Sequence, residues 1–182
     1  MSDKTKPAYK QTKLWILNVQ EIEHIVFDNL ILVKSYLYRN YKKMDFSVDT
    51  LCFFHKLLCE NLFDEAGKFR KHNVQMGDFE AIGFHEVPIE MKKMNDDIQY
   101  RLKHIKNTQE KKELLAWIMR KILWIHPFFD YNARTVRIFG EFFLLKQQMQ
   151  LSSFRWTTRK KFTEAMKKWT FDNNLSGVID LL

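Results

Sequence analysis

The chain has 182 residues, of which 46% are hydrophobic and 15% are aromatic. This length suits one domain with its own core, and this composition excludes a disordered chain. Only 5 glycines and 3 prolines occur, which argues against turn-rich sandwiches and barrels and predicts an all-α fold. No apolar run is long enough for a membrane span, and the polar start lacks the apolar centre of a signal peptide, so the sequence predicts a soluble cytoplasmic protein.

The formal net charge is +8 at pH 7. Such a charge suits a nucleic acid, a membrane surface or an acidic partner, but we favour a solvated lysine-rich surface. Cys52 and Cys59 lie seven residues apart in a predicted helix, about 10 Å along its axis, which is beyond the reach of a disulfide. We therefore expect two reduced thiols. No His/Cys cluster has the spacing of a zinc site.

The first half of the chain is predicted to contain a tail and two helical regions. Residues 1–13 are polar and are predicted to form a flexible tail, and residues 14–182 a single domain. Apolar residues recur at helical spacing from Leu14 to Tyr41, which predicts one or two helices. Ser47 is predicted to cap a second helix that continues to Leu62.

A turn and a strand-like segment follow the second helix. Gly67 is the first strong helix breaker, and Arg70 is predicted to lie in an exposed turn, where it either reaches the active site or is simply solvated. The helical pattern is absent between Val74 and Glu86, where Gly77-Asp78 and Gly83 flank a short run. We expect residues 79–82 to form a small β-hairpin or flap.

Three more helices are predicted between Pro88 and Met149. One begins near Pro88 and ends at about Lys106, and another is capped by Thr108. The apolar positions of the latter are nearly continuous up to Ile125, so we expect this helix to be the most buried, with Trp117 and Trp124 in the core. A further helix should begin near Asn132, is apolar from Val136 to Met149, and is expected to pack beside it.

The loop between the last two helices concentrates the chemically reactive side chains. Pro127 should end the preceding helix at His126, whose imidazole can accept a proton near neutral pH. Asp130 can hold Mg²⁺ against phosphate oxygens. Arg134 and Arg137, three residues apart, lie on one helix face near free N-terminal amides, which bind anions. The pattern therefore predicts phosphoryl or nucleotidyl transfer.

The stretch from His126 to Arg137 also resembles the Fic (filamentation induced by cyclic AMP) signature, H-P-F-x-[D/E]-G-N-[G/K]-R-x-x-R. Seven of its residues match in order: His126, Pro127, Phe128, Asp130, Asn132, Arg134 and Arg137. Upstream, Phe46-Ser47, His55–Leu58 and Glu65–Arg70 are similar to the helix and turn that precede the family's active site. The resemblance spans roughly Phe46 to Met149.

This resemblance implies a Fic-type helical bundle with a small β-hairpin flap, and an enzyme that transfers AMP from ATP to a Tyr, Ser or Thr hydroxyl of a target protein. In such an enzyme His126 is the base, and Asp130 positions Mg²⁺ on the phosphates. The nucleotide is held by Asn132, Ala133, Arg134 and Arg137, of which Arg134 takes the β-phosphate and Arg137 the γ-phosphate. The flap residues Phe79, Glu80, Ala81 and Ile82 align an extended segment of the target.

Two positions depart from the signature. Tyr131 stands where Gly is usual, and Ala133 where Gly or, in the Doc branch, Lys is usual. A tyrosine in a left-handed conformation would be strained, or its ring would narrow the phosphate site. The first alternative is therefore a catalytically impaired interaction or toxin–antitoxin module. A Doc-like kinase or another nucleotide transferase is a further alternative, and a nucleic-acid-binding protein comes last.

Many Fic proteins are restrained by a helix of pattern [S/T]-x-x-x-E-[G/N], whose glutamate pairs with the signature's second arginine. Neither Leu14–Tyr41 nor Phe171–Leu182 contains this pattern. The sequence therefore predicts that such a restraint is absent or is supplied by an inhibitory partner chain.

Overall fold

The computed structural model describes residues 12–13, 18–76 and 79–150 of the chain. These residues form five α-helices and two short strands: α1 (Val19–Asn40), α2 (Val48–Cys59), β1 (Gln75–Met76), β2 (Phe79–Glu80), α3 (Val87–His104), α4 (Thr108–Ile125) and α5 (Asn132–Lys146). The predicted all-α fold is confirmed. Most of the predicted tail and everything beyond residue 150 lie outside the described residues.

Side-chain caps fix where three of the helices begin. Asn18 accepts a hydrogen bond from the Glu21 amide at 2.8 Å and thereby caps α1. Ser47 caps α2, as the sequence predicts. The expectation for α4 is wrong by one residue, because Asn107 is its cap and Thr108 is already helical. Both residue types accept a hydrogen bond from an otherwise unpaired helix amide.

The helices pack in the order α1–α2–α5–α4–α3, and α2 also touches α3. Helix α5 is the most buried, with ten of its fifteen residues inside, so the expectation that α4 would hold this place is wrong. Helix α4 also lies between two helices, but α5 is covered in addition by the Phe46 ring and by Lys34 and Tyr38 of α1, which explains the difference. Trp124 is also not a core residue: 36% of it is exposed, and Lys121 lies 4.4 Å from its ring.

An aromatic cluster joins α5 to the chain before and within α2. The Phe46 ring stacks on Phe139 with centroids 4.2 Å apart and also touches Phe142 and Phe143. Phe54 of α2 meets Phe142 edge-on. Rings in such arrangements add to the gain from burying their area, so α5 is held firmly below the loop that precedes it.

Polar side chains attach α1 to this core. The buried Glu141 of α5 accepts a hydrogen bond from Tyr38 and pairs with Lys34 at 3.0 Å. Asn29 donates to the Leu58 carbonyl at 2.9 Å. A buried carboxylate needs partners such as Tyr38 and Lys34 to offset its desolvation, and together with the Asn29 contact to α2 they fix the position of α1 against α2 and α5.

The two strands lie where the helical pattern is interrupted. Met76 pairs with Phe79 and Gln75 with Glu80 in antiparallel register. Just beyond the strands, the Ala81 amide donates to the Val74 carbonyl at 3.2 Å. No helix among the described residues is both long and apolar enough to cross a membrane.

Candidate active site

The loop of residues 126–131, called here the catalytic loop, connects α4 to α5. His126 caps α4 in the left-handed region at φ 51° and ψ 61°, and its amide donates to the Ile122 carbonyl at 2.8 Å. Pro127 disfavours the right-handed helical conformation for the residue before it, which ends α4 there as predicted. The positive φ turns the chain away from the helix within one residue.

The imidazole of His126 is largely buried. Burial lowers its pKa from the ordinary 6.5 to about 4, and the Arg70 guanidinium acts in the same direction. The Leu123 backbone acts on the imidazole in the opposite direction and raises its pKa, and the buried Nδ1 has no hydrogen-bond partner among the described residues. The ring is therefore neutral at physiological pH, the state in which it can accept a proton.

Asn132, the first residue of α5, holds the catalytic loop closed. Its Oδ1 accepts from the Phe128 amide at 2.9 Å, and its Nδ2 donates to the Phe128 carbonyl at 2.8 Å. The residue is only 2% exposed. The sequence assigns Asn132 to phosphate binding. In the structure the carboxamide is engaged with the loop backbone, so a direct role would fall to its main-chain amide.

His55 of α2 supports the loop from below. Its Nδ1 accepts from the Gly67 amide at 2.8 Å, and its Nε2 donates to the Asp130 carbonyl at 3.1 Å, which defines the neutral tautomer. The ring stacks on Phe128 with centroids 3.9 Å apart. Burial lowers the pKa of His55 to about 4. The expectation of a core histidine is met, and this one also fixes the catalytic loop.

Gly67 and Arg70 form the turn that follows α2. Gly67 has φ 77°, and a Cβ there would lie 2.7 Å from that of Lys56, so only glycine suits the position. Arg70 is only 3% exposed, which overturns the prediction of an exposed turn residue. Its side chain donates to the carbonyls of Ile125 and His126, and its amide donates to the Pro127 carbonyl at 2.9 Å.

The start of α5 is shaped as an anion site. Tyr131 precedes the helix at φ 56° and ψ 16° and provides no side-chain cap, so the first-turn amides have no side-chain acceptor from that residue. The Tyr131 carbonyl accepts from the amide and the hydroxyl of Thr135. Ala133 is exposed within the helix and keeps its amide, as expected. The dipole and the free amides of this end favour a phosphate group.

The two signature arginines lie in different surroundings. Arg134 forms an ion pair with Glu23 of α1, and its guanidinium lies 5.1 Å from the centroid of the Tyr131 ring. Arg134 and Glu23 line one groove together with the apolar residues Val19, Val26, Phe27 and Leu30. Arg137 is partly buried and is one turn further along α5. A carboxylate on the first arginine competes with any phosphate for the same charge.

Asp130 is the residue that the sequence assigns to Mg²⁺. One of its oxygens accepts from the Tyr131 amide at 2.6 Å, which aims the carboxylate along the start of α5. Among the described residues, no three His, Cys, Asp or Glu side chains gather into a metal site. This fits Mg²⁺, which often takes only one or two protein carboxylates and completes its shell with water and substrate phosphates.

The predicted flap residues lie beside the loop's first half. Glu80 is exposed at the end of β2, whereas Ala81 is buried. The Ile82 carbonyl accepts from Arg70 Nη2 at 2.6 Å. One guanidinium therefore touches both the flap and the end of α4. Their part in binding a target remains a prediction.

Comparison with known proteins gives the family. The profile of the Fic/DOC family matches residues 45–144, more than half of the chain. The chain belongs to the Fic/DOC family. The matched range begins one residue before Phe46, and it contains the strands, α4 and the whole catalytic loop. No curated protein of similar sequence was found.

Solved Fic domains share the fold of this chain. The N-terminal Fic domain of Bep8, an effector from Bartonella sp. 1-1C, has a TM-score of 0.80 at 16% identity over 94% of this chain and 87% of that one. BepC from Bartonella tribocorum, solved with bound AMPPNP, has a TM-score of 0.77 at 16% identity over 100% of this chain and 92% of that one. The N-terminal Fic domain of a putative cell filamentation protein from Bartonella quintana, solved with bound ADP, has a TM-score of 0.75 at 18% identity over 93% of this chain and 86% of that one. At these identities the likeness shows the Fic fold alone.

Sequence reasoning missed the contacts that come from outside the signature. Glu23 carries no motif, and its partner Arg134 is 111 residues away. For Arg70 the sequence left two alternatives, contact with the active site or solvation in an exposed turn, and it indicated neither the burial nor the carbonyl partners. The unpaired carbonyls at the C-terminal end of a helix can stabilise a buried arginine. The sequence does not show that the end of α4 lies beside the turn that contains Arg70.

Proposed function

We propose that this Fic protein is an adenylyltransferase that moves AMP from ATP to a hydroxyl of a target protein. The observation that carries the proposal is the catalytic loop itself. Neutral His126 begins the loop, and the uncapped start of α5 with Arg134 and Arg137 ends it. Fic family members commonly transfer AMP onto proteins, and the AMPPNP and ADP of the related structures support a nucleotide as ligand.

In this mechanism His126 takes the proton of a Tyr, Ser or Thr hydroxyl of the target. The hydroxyl oxygen bonds to the α-phosphorus while the bond to the β-phosphate oxygen breaks, so pyrophosphate leaves. Since Nδ1 is buried without a partner among the described residues, we assign Nε2 as the nitrogen that accepts the proton. A base that is already neutral at pH 7 is available without prior deprotonation.

The phosphates are assigned to the start of α5. The amides of Asn132 and Ala133 hold the α-phosphate, on which negative charge builds in the transition state. Arg134 holds the β-phosphate after leaving Glu23, and Arg137 holds the γ-phosphate. The carboxylate of Asp130 would hold Mg²⁺, which when bound neutralises phosphate charge.

The target is assigned to the flap, residues 79–82. An extended segment that pairs with its main chain would bring one hydroxyl to His126, because Ile82 and His126 are joined through Arg70. ATP supply and two free thiols favour the cytoplasm as the place of action.

One observation favours the alternative of an impaired module. Arg134 is paired with Glu23 and lies beside the Tyr131 ring. Both contacts would hinder the binding of a phosphate to this arginine. In that case the protein would bind a partner through the same fold without transfer, or an inhibitory chain would act on it. A Doc-like kinase would use the same site with ATP in another orientation.

Incubation with Mg²⁺, a cell lysate and ATP labelled on its α-phosphate tests the proposal. We expect label on a protein with wild type and none with His126→Ala. ATP labelled on its γ-phosphate distinguishes the kinase, since only phosphorylation transfers that label. If neither label is transferred and calorimetry shows no binding of Mg·AMPPNP, the transferase assignment is wrong.

A further inference from the structure

Arg70 joins the flap to the first half of the catalytic loop. Its Nε donates to the His126 carbonyl at 2.8 Å, and its Nη2 to the Ile125 carbonyl at 3.2 Å. On the other side Nη2 donates to the Ile82 carbonyl at 2.6 Å, and Nη1 to the His72 carbonyl at 2.9 Å. His72 and Ile82 flank the two strands. A single side chain thus donates hydrogen bonds to the residues on both sides of the flap and to the end of α4.

The described residues give this guanidinium no carboxylate partner, although it is only 3% exposed. Its charge is balanced instead by carbonyl oxygens, two of which belong to the negative end of the α4 dipole. A buried cation without these acceptors would be costly. Arg70 therefore stabilises a geometry in which the flap carbonyl and the α4 carbonyls are held together.

The contact bears on the conformation of His126. His126 adopts a left-handed backbone, which is uncommon for a residue with a side chain. Its carbonyl is held by Arg70 Nε, and the next carbonyl, that of Pro127, by the Arg70 amide. Fixing two successive carbonyls sets the peptide planes on either side of Pro127, and with them the direction of the imidazole.

We propose that Arg70 is a positioning residue that couples the flap to His126, so that strand pairing at the flap is transmitted to the base. The proposal deepens the proposed function and rests on it for the role of His126. A segment that pairs with the flap and shifts the Ile82 carbonyl moves the guanidinium, which in turn moves the His126 carbonyl. Arginine suits this role because its planar fork donates in several fixed directions, whereas lysine has a single ammonium.

Hydrogen–deuterium exchange of the full chain tests this coupling without any need for transfer activity. Arg70→Lys keeps the charge but loses the fork, and Ala81→Pro removes the amide that donates to Val74 beside Ile82. Arg101→Lys, an exposed arginine over Trp117, is the matched control. We expect Arg70→Lys to speed exchange of residues 126–131 and of the flap by about tenfold, with α5 unchanged, and Arg101→Lys to change neither region.

The decisive comparison is the effect of Ala81→Pro on loop exchange in wild type against its effect in the Arg70→Lys background. Ala81→Pro in wild type should speed exchange in residues 126–131, and in the Arg70→Lys background it should add nothing there, because the connection is already cut. Equal effects in both backgrounds, or no effect on the loop, would overturn the proposal. If Arg70→Lys does not fold, Ala81→Pro in the wild-type background decides: faster exchange in residues 126–131 supports the coupling, and unchanged exchange there overturns it.

Activity separates this proposal from the proposed function. If wild type transfers labelled AMP, Arg70→Lys should lose about 10²-fold in rate, as expected for a base displaced by about 1 Å, with the Kd for Mg·AMPPNP changed less than about threefold. A wild type that transfers nothing defeats the proposed function but leaves the exchange coupling to be judged by itself.

Discussion

The two ends of the catalytic loop are held in different ways. At the His126 end, Arg70 and Asn132 bind the backbone from residue 126 to residue 128, and the contacts are buried. At the Arg134 end, the arginine that we assign to phosphate is about one-third exposed and is paired with Glu23 of another helix. The base end is preorganised, whereas the phosphate end has to exchange one anion for another.

The two ends of the loop depend on contacts of different strength: buried hydrogen bonds at the base end and a partly exposed ion pair at the phosphate end. Backbone contacts at the base end are buried, so breaking one leaves an unpaired polar group. The Glu23–Arg134 pair is 50% and 32% exposed at its two side chains, and such pairs typically contribute about 0–1 kcal/mol. A nucleotide that brings three phosphates can displace a pair of that strength.

The largest expected effect is at the base end. His126→Ala should lower the transfer rate by about 10²–10⁴-fold, the usual contribution of a general base. The free energy of unfolding should change by only about 1 kcal/mol, since the cavity is offset by the loss of a buried, unpaired nitrogen. Rates with labelled ATP and urea denaturation measure the two quantities.

A matched control for this substitution is His104→Ala, which removes an exposed histidine at the end of α3. It should leave rate and stability unchanged. If His126→Ala retains the wild-type rate, the proton is taken by another group and the base end loses its assigned role.

Acid should weaken the base end in a second way. The pKa of His55 is about 4 in the folded protein and about 6.5 in the unfolded chain, so the unfolded chain binds more protons between these values. Stability is therefore fully present above pH 6.5, falls as the pH drops and levels off below about 4. The loss is about 3 kcal/mol for His55, and His126 adds to it in the same window.

Urea denaturation between pH 7 and pH 4 measures this loss. His55→Gln should be less stable than wild type at pH 7, because the stacking on Phe128 is lost, yet it should lose less on acidification. An equal loss in both proteins would show that His55 is not held neutral by its burial between Gly67 and Asp130.

A smaller effect is expected at the phosphate end. Glu23→Gln removes the charge that competes for Arg134, so Mg·AMPPNP should bind up to about fivefold more tightly by calorimetry. Glu21→Gln changes an exposed carboxylate in the first turn of α1, two residues before Glu23, and should not change this affinity. Unchanged affinity in Glu23→Gln would mean that Arg134 does not meet the nucleotide.

The Glu23 contact also shows where sequence reasoning stops. The Ser47 cap and the end of α4 at His126 follow from local rules and were predicted correctly, whereas α2 ends at Cys59 rather than Leu62 and α5 at Lys146 rather than Met149. The buried state of Arg70 and the pairing of Glu23 depend on which helices meet across long separations. Residues 14–41 lack the inhibitory helix pattern, yet Glu23 of α1 forms an ion pair with Arg134, the signature's first arginine.

The smallest effect is expected from Tyr131→Gly with Ala133→Gly, and it decides between an active enzyme and an impaired module. Tyr131 adopts φ 56°, so glycine relieves backbone strain of about 1 kcal/mol. Against this stand the loss of ring contacts with Phe63 and Arg134 and the greater freedom of glycine in the unfolded chain. These terms nearly cancel, and we expect stability to change by less than about 1 kcal/mol.

The transfer rate of this double variant carries the decision. The loop already adopts the left-handed conformation that glycine would favour, and Ala133 is helical and keeps its amide. Replacing both residues should therefore leave the anion site in place, and the rate and the Kd for Mg·AMPPNP should change by less than about threefold. A nearly inactive wild type that is restored by the two glycines would show instead that the Tyr131 ring closes the phosphate site. In that case the contrast between the two ends of the loop would lie in a blocked site rather than in an exchangeable ion pair.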